Sequence, residues 1–296
     1  MATKTAFPLV SIVVCTYNRK KRLEECLRSI LKLEYPRSRL EIIVIDGGSV
    51  DGTDIMVKRF FPEVRFIVER APGVAIARNL GALRASGTII VYTDDDCLVD
   101  KKWLKELLAH FSSESVIAVG GSVLPASPIP KELFVEEALG LLDIGSEIRT
   151  VEALLTSNFA VRQTAFDSAR FETKLGRRGS LLFGGEDTDF CRNLRQQGYR
   201  LIYNPYARVY HQISPERLHV VYILKHAIFT GISYQQHLKK WEKSRFNILI
   251  KLSGAAVGQI RLSFARRSIK ELYHFVFLSS ALIAYMLSSD RIITNP

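Results

Sequence analysis

The chain has 296 residues, 47% hydrophobic and 24% charged, without low-complexity tracts or repeats of solenoid length, which excludes a disordered chain and a repeat array. Its net charge of +11 is uneven: residues 1–150 carry 20 Lys/Arg and 20 Asp/Glu, and residues 151–296 carry 21 against 10. A basic second half serves either plain solubility or a phosphate-bearing partner.

Residues 9–16, LVSIVVCT, are a short apolar run rich in β-branched residues, the pattern of a strand buried on both faces. A helix follows over 20–33, with Leu23, Leu27, Ile30 and Leu31 on one face. The alternation continues with a strand at 42–46, a helix near 53–61, a strand at 64–69, a helix at 74–86 and a strand at 88–93. A helix at 100–111 and a strand at 116–123 complete it. Such alternation predicts an α/β fold with a mixed, mainly parallel sheet flanked by helices. The three prolines of PASPIP, 125–130, break regular structure. Beyond them a strand is expected at 155–162, a helix at 186–197, and two short strands at 200–203 and 207–211. From about 216 the pattern is helical, with apolar-rich stretches at 218–234, 246–262 and 272–287. The last is 16 residues long, short of the roughly 20 that span a bilayer. Lys225, Lys239, Lys240, Lys251, Arg261, Arg266, Arg267 and Lys270 punctuate the region, which suits a helix at a membrane interface. A helical cap or an oligomerising surface reads equally well. The domains expected are therefore 1–215, catalytic, and 216–296, a helical C-terminal extension.

Cys15, Cys26, Cys97 and Cys191 form no CxxC pair and read as reduced, mostly buried thiols. Met1 to Pro8 lacks the apolar core of a signal peptide, so a cytoplasmic location is the expectation, including the cytoplasmic face of a membrane.

In a parallel sheet, ligands bind beyond the carboxyl ends of the strands. Three polar groups fall there: Thr16 to Arg19, Asp46 to Gly52, and Asp94, Asp95 and Asp96. Three adjacent carboxylates repel, and need a cation or solvent. On an extended chain Asp94 and Asp96 would point one way together, and their oxygens suit Mg2+ or Mn2+. The competing reading is that these acids serve the N-terminus of the next helix. Glu186 and Asp187 open a predicted helix after a run containing Gly176, Gly179, Gly184 and Gly185. His211 ends a predicted strand, a place where a histidine more often serves structure than binds a ligand.

These segments resemble the family 2 glycosyltransferases of the GT-A (Rossmann-like) fold. The carrying motifs are VSIVVCTYNR at 10–19, VIDGGSVDGT at 44–53, ARNLG at 77–81, TDDD at 93–96 and GGEDTDFCRNLRQQGY at 184–199. The resemblance spans roughly residues 8–211. It implies that Asp46 reads the nucleotide base, most often uracil, while Cys15, Tyr17 and Arg19 line base and phosphate. Arg78 would lie near diphosphate or ribose, and Asp94 and Asp95 near ribose and donor sugar. Asp96, the last acid of a DxD-like motif, would hold the metal, with His211 as a further metal or phosphate contact. Asp187, or Glu186 beside it, would be the general base. Arg177 and Arg178 would sit in a loop able to close over the diphosphate, or in an exposed basic loop.

The activity so implied is inverting, metal-dependent transfer of a sugar from a nucleoside-diphosphate sugar, UDP favoured, to a hydroxyl on a glycan or lipid-linked acceptor. Peripheral membrane association is open, and no nucleic-acid motif is visible. Two other classes stay open. A nucleotidyltransferase shares the architecture, although the first loop, CTYNRKK, lacks the glycine of a phosphate cradle. A basic nucleic-acid or membrane-binding protein would explain the charge alone.

Overall fold

In the computed structural model, which describes residues 7–179, 181–241 and 268–289, the first alternation of the chain builds a parallel core. Strands β1 (Val10–Thr16), β2 (Leu40–Asp46), β3 (Arg65–Val68) and β4 (Ile89–Asp94) lie parallel, β1 between β2 and β4. Val10, Ile12, Val13 and Val14 are fully buried, as are Ile43, Val44 and Ile45, because helices cover both faces of such a sheet. The crossovers are α1 (Lys20–Ile30), α2 (Thr53–Phe60) and α3 (Val74–Arg84). Helix α1 buries Leu23, Cys26, Leu27 and Ile30, one stripe at spacings of three and four.

The chain then reverses through β5 (Cys97–Val99), enters α4 (Trp103–Leu108) and returns along β6 (Val116–Pro125). Among the described residues the sheet reads β3-β2-β1-β4-β8-β6-β9-β5, with β7 also paired to β9. Here β7 is Arg149–Thr150, β8 is Phe159–Arg162 and β9 is Arg200–His211. Strand β8 runs antiparallel between β4 and β6, and β5 antiparallel on β9, so the sheet is mixed and mainly parallel.

Four expectations need correction. Residues 97–99 are a strand, and the helix expected at 100–111 begins only at Trp103. The acids 94–96 therefore precede a strand, and the helix-terminus reading of them falls. The strand expected at 155–162 begins at Phe159, after a 3-10 turn at Thr156–Asn158. The two strands expected at 200–203 and 207–211 are one, β9, which stays paired to β6 across a bulge: the register passes from Gly121↔Asn204 to Ser122↔Arg208. Gly121 is required there, since a Cβ would collide with the carbonyl oxygens of Asn204 and Ala207.

Helix α6 (Glu186–Gln196) buries Phe190, Cys191 and Leu194 in the main core. Phe190 stacks on Phe171 with ring centroids 4.4 Å apart.

Two units divide the chain. The first comprises Met1–Ala126, Leu141–Thr173 and Asp187–Gln212; the second comprises Ser127–Gly140, Lys174–Glu186 and Ile213–Pro296. Within the second, α5 (Glu136–Leu139), α7 (Val220–Trp241) and α8 (Ile269–Ser289) surround a small core of Val135, Ala138, Ile223, Ala227 and Tyr273. Buried His226 meets the Tyr273 hydroxyl through Nδ1 at 3.0 Å. The helical stretches expected at 218–234 and 272–287 fall within or beside α7 and α8. The stretch expected at 246–262, and Lys251, Arg261, Arg266 and Arg267, lie outside the described residues. No described helix is long and apolar enough to cross a membrane.

Candidate active site

The loops beyond β1 and β2 are bound to each other. The Asn18 carboxamide oxygen accepts the Val50 N–H at 2.8 Å, and Ser49 Oγ accepts the Asn18 N–H at 2.7 Å. Asn18 has φ 50°, a left-handed conformation that asparagine tolerates. Asp46 ends β2, buried, and its Oδ2 accepts the N–H groups of Gly48 at 3.0 Å and Ser49 at 2.8 Å. It forms a wall of a cleft of about 640 Å3 with Tyr17, Gly47, Lys58, Val68 and Arg70. Tyr17 is half exposed at its mouth. Cys15 pairs in register with Ile45 and Asp94, and burial pushes its thiol up to about 12, so it stays neutral.

The three acids at the end of β4 do not act alike. Asp94 is partly open and meets Arg78 Nη2 at 3.3 Å. Asp95 and Asp96 are buried and share Arg19 Nη1, at 2.9 and 2.8 Å. The expectation that Asp94 and Asp96 point together is thus corrected: residues 95 and 96 form a turn, where strand alternation does not apply, and Asp95 and Asp96 converge instead. Burial raises the Asp95 pKa, opposed by Arg19 and by the hydrogen bond from Thr16 Oγ1 at 2.8 Å. Arg19 Nη1 bridges the two buried acids and offsets their mutual repulsion.

Asp187 stands in the first turn of α6. The aromatic packing of Phe190 fixes that helix against the core and leaves Asp187 at the sheet edge. Arg78 Nη1 lies 3.3 Å from its Oδ1, so one guanidinium joins Asp94 and Asp187 across 93 positions of sequence. Arg78 is itself buried, over the Phe171 ring at 5.9 Å. Glu186, also buried, precedes Asp187 but belongs to the second unit, as do Arg177 and Arg178. Arg177 reaches the Tyr222 hydroxyl there at 3.5 Å.

His211 ends β9, opposite Cys97, and its Nε2 lies 3.3 Å from Asp96 Oδ1, both side chains buried. The carboxylate oxygen suits Mg2+ or Mn2+ and the imidazole nitrogen is an acceptable Mn2+ ligand; Mg2+ in particular takes few protein ligands and completes its shell with substrate phosphate and water. No group of three His, Cys, Asp or Glu able to hold a metal occurs among the described residues. Asp96 and His211 as donors fit a cation whose shell substrate phosphate and water complete.

Two site residues escaped the sequence reading. Gln212 donates its N–H to the Asp96 carbonyl at 2.8 Å, while its side chain bonds Arg22 and Glu25 of α1. Thr156 bonds Asp187. Neither carries a local motif. A second depression, of about 450 Å3, is lined by His110, Arg149 and Arg200 at the amino ends of β6 and β9, the edge opposite the carboxylates.

Solved structures share this architecture. A mannosyltransferase, PcManGT from Pyrobaculum calidifontis, in complex with GDP-Man and Mn2+, is similar over 96% of this chain and 88% of that one, with TM-score 0.66 and 20% identity. Residues 1–349 of S. aureus TarS are similar over 95% of this chain and 91% of that one, with TM-score 0.54 and 15% identity. The class so defined is the GT-A glycosyltransferase fold. Residues 11–147 match the family described as "Glycosyl transferase family 2", and residues 89–294 that described as "Glycosyl transferase family group 2". The chain belongs to the family 2 glycosyltransferases, and is an enzyme of that type. It is 26% identical over 206 residues to glycosyltransferase AglE of Haloferax volcanii, an alignment covering 67% of this chain and 65% of that protein. It is 29% identical over 261 residues to succinoglycan biosynthesis protein ExoM of Rhizobium meliloti, covering 84% of this chain and 82% of that one.

Proposed function

We propose that the protein transfers a sugar, with inversion, from a nucleoside-diphosphate sugar to a hydroxyl of a glycan or lipid-linked acceptor in glycan biosynthesis. The observation that carries this reading is the meeting of Asp94 and Asp187 on Arg78, which gathers a donor-side and an acceptor-side carboxylate at one sheet edge. The cleft bounded by Asp46 and Tyr17 receives the base, UDP first among candidates. Asp187 accepts the proton as the acceptor oxygen bonds to the anomeric carbon. The bond from that carbon to the diphosphate breaks, and nucleoside diphosphate leaves. Glu186 is the alternative acceptor of the proton. Asp96 and His211 would hold Mg2+ or Mn2+, which when bound neutralises charge on the departing diphosphate. The relatives support the glycan class: one is named for succinoglycan biosynthesis and another, 27% identical over 239 residues, is a glucosyl-dolichyl phosphate glucuronosyltransferase from Haloferax volcanii. Peripheral contact with the cytoplasmic face of a membrane belongs to this reading, and the basic second half supports it.

A panel of UDP- and GDP-sugars with Mn2+ tests the reaction, read as released nucleoside diphosphate. Asp187→Asn is expected to lower release about a thousandfold while leaving Mn2+-dependent nucleotide binding nearly intact. Release at the native rate would sink the base assignment. Chelation should abolish release and added Mn2+ restore it, with Asp96→Ala shifting the required Mn2+ concentration upward. Pyrophosphate as product would instead indicate nucleotidyl transfer.

A further inference from the structure

Asp187 does not hang free at the start of its helix. Its Oδ2 accepts the backbone N–H of Thr156 at 3.0 Å, and Thr156 Oγ1 lies 3.0 Å from Oδ1 and 3.1 Å from Oδ2. Thr156 is only 2% exposed, so its two donors are shielded from bulk water. The turn that presents it, Thr156–Asn158, is anchored at every residue. The Ser157 carbonyl accepts the Thr93 hydroxyl at 3.0 Å, immediately before the acid triplet. Asn158 accepts the Trp103 indole N–H at 2.7 Å and donates to the Ser122 and Ala207 carbonyls at 2.9 and 2.7 Å. One three-residue turn thus spans β4, α4, β6 and β9, and ends on the carboxylate of α6.

We infer that Thr156 is the positioning residue for Asp187, its hydroxyl and N–H setting the direction in which the carboxylate faces the acceptor. The inference rests on the reading of Asp187 as proton acceptor. A carboxylate that rotates can accept a proton from the wrong direction, and a proton acceptor misplaced by a fraction of an ångström loses most of its rate. Two donors from one buried residue remove that freedom; together with the charge of Arg78, which also carries Asp94, these hydrogen bonds favour the charged form. Because the same turn grips Thr93, the direction of Asp187 is set in the same frame as Asp94 to Asp96. Nothing in the chain near 156 resembles a catalytic motif, and the contact spans 31 positions.

The test compares Thr156→Val, which keeps shape and backbone N–H but loses the hydroxyl, with Thr156→Ser, which keeps the hydroxyl. UDP-glucose, UDP-N-acetylglucosamine and GDP-mannose with Mn2+ are the probes, and nucleoside diphosphate release is read against pH. Thr156→Val is expected to lower kcat by about ten- to a hundredfold with KM for the nucleotide-sugar little changed, and to move the acid limb of the profile to higher pH. Thr156→Ser restores most of the rate and returns the limb. In parallel, the side-chain carboxyl carbons of 13C-labelled aspartate are followed by NMR without any sugar present, with Asp187→Asn assigning the Asp187 signal. A changed signal in Thr156→Val and a native one in Thr156→Ser is expected. If Thr156→Val fails to fold, Thr156→Ala takes its place in both measurements. Native kinetics and a native Asp187 signal in the hydroxyl-free variant would overturn the inference. Failure of the base assignment looks different: Asp187→Asn would itself remain active.

Discussion

Arg78 holds two carboxylates that belong to opposite ends of the proposed reaction. Its guanidinium fork allows this, since separate nitrogens face Asp94 and Asp187. Lysine keeps the charge and loses the fork. Arg78→Lys should therefore fold near normally yet lose most transfer, because one ammonium cannot orient both partners. Arg78→Met leaves the carboxylates without this counter-charge. A fully enclosed pair so broken costs about 3–5 kcal/mol. Here Asp94 is 39% exposed, so a loss of about 2 kcal/mol is expected, measured by urea denaturation. Such residues were partly legible. Asp94, Asp95, Asp96 and Asp187 announce themselves as carboxylates at strand ends and a helix start. Arg19 drew attention as a base or phosphate contact and Arg78 as a diphosphate or ribose contact; that each also bridges two carboxylates is a pairing only the folded chain reveals. Thr156 and Gln212 were illegible, for a buried threonine or an amide after a strand has no pattern of its own.

At the scale of elements, what folded as read is what periodicity controls. β1, β2 and β4 are unbroken runs of branched apolar residues, and α1 presents a clean stripe. What was misread was decided by partners distant in sequence. Three residues, Cys97–Val99, become a strand only because β9 lies alongside. Asn204 and Pro205 read as a break, yet β9 continues past them because β6 absorbs the bulge at Gly121. Gly121→Ala should thus prevent folding or lower stability severely, the colliding atoms being backbone oxygens that cannot step aside. Asn158 is the second such joint. Asn158→Leu strips partners from the Trp103 indole and two carbonyls, and a loss of about 3 kcal/mol is expected in denaturant titration.

For the molecule as a whole, the two units differ in what holds them. The first has a continuous core threaded by an aromatic group of Tyr92, Phe159, Phe166, Phe171 and Phe190. The second depends on small helical contacts around a buried histidine. Burial, reinforced by Arg177 and Arg217, holds the His226 pKa at about 3, against an ordinary 6.5. His226 is therefore neutral when folded. Between pH 6.5 and 3 the unfolded chain binds the proton and the folded one does not, so stability is full above 6.5 and falls as the pH drops through this window. The limiting slope is about 1.4 kcal/mol per pH unit. Denaturation at pH 7 and pH 5 should show the second unit weakening, and His226→Gln should flatten that dependence.

The reversal between β4 and β5 has a consequence for how this chain can diverge. Cys15 is matched to Asp94 on one side, and His211 to Cys97 on the other, with only two residues between. Loops at the cleft can lengthen, shorten or change composition while the sheet stands. A single codon gained or lost between Thr93 and Cys97 would rotate one acid into the apolar interior and uncouple Asp96 from His211. Lineages descended from this enzyme are free to acquire new sugars and acceptors, but the interval from Thr93 to Cys97 should keep its length in all that remain active.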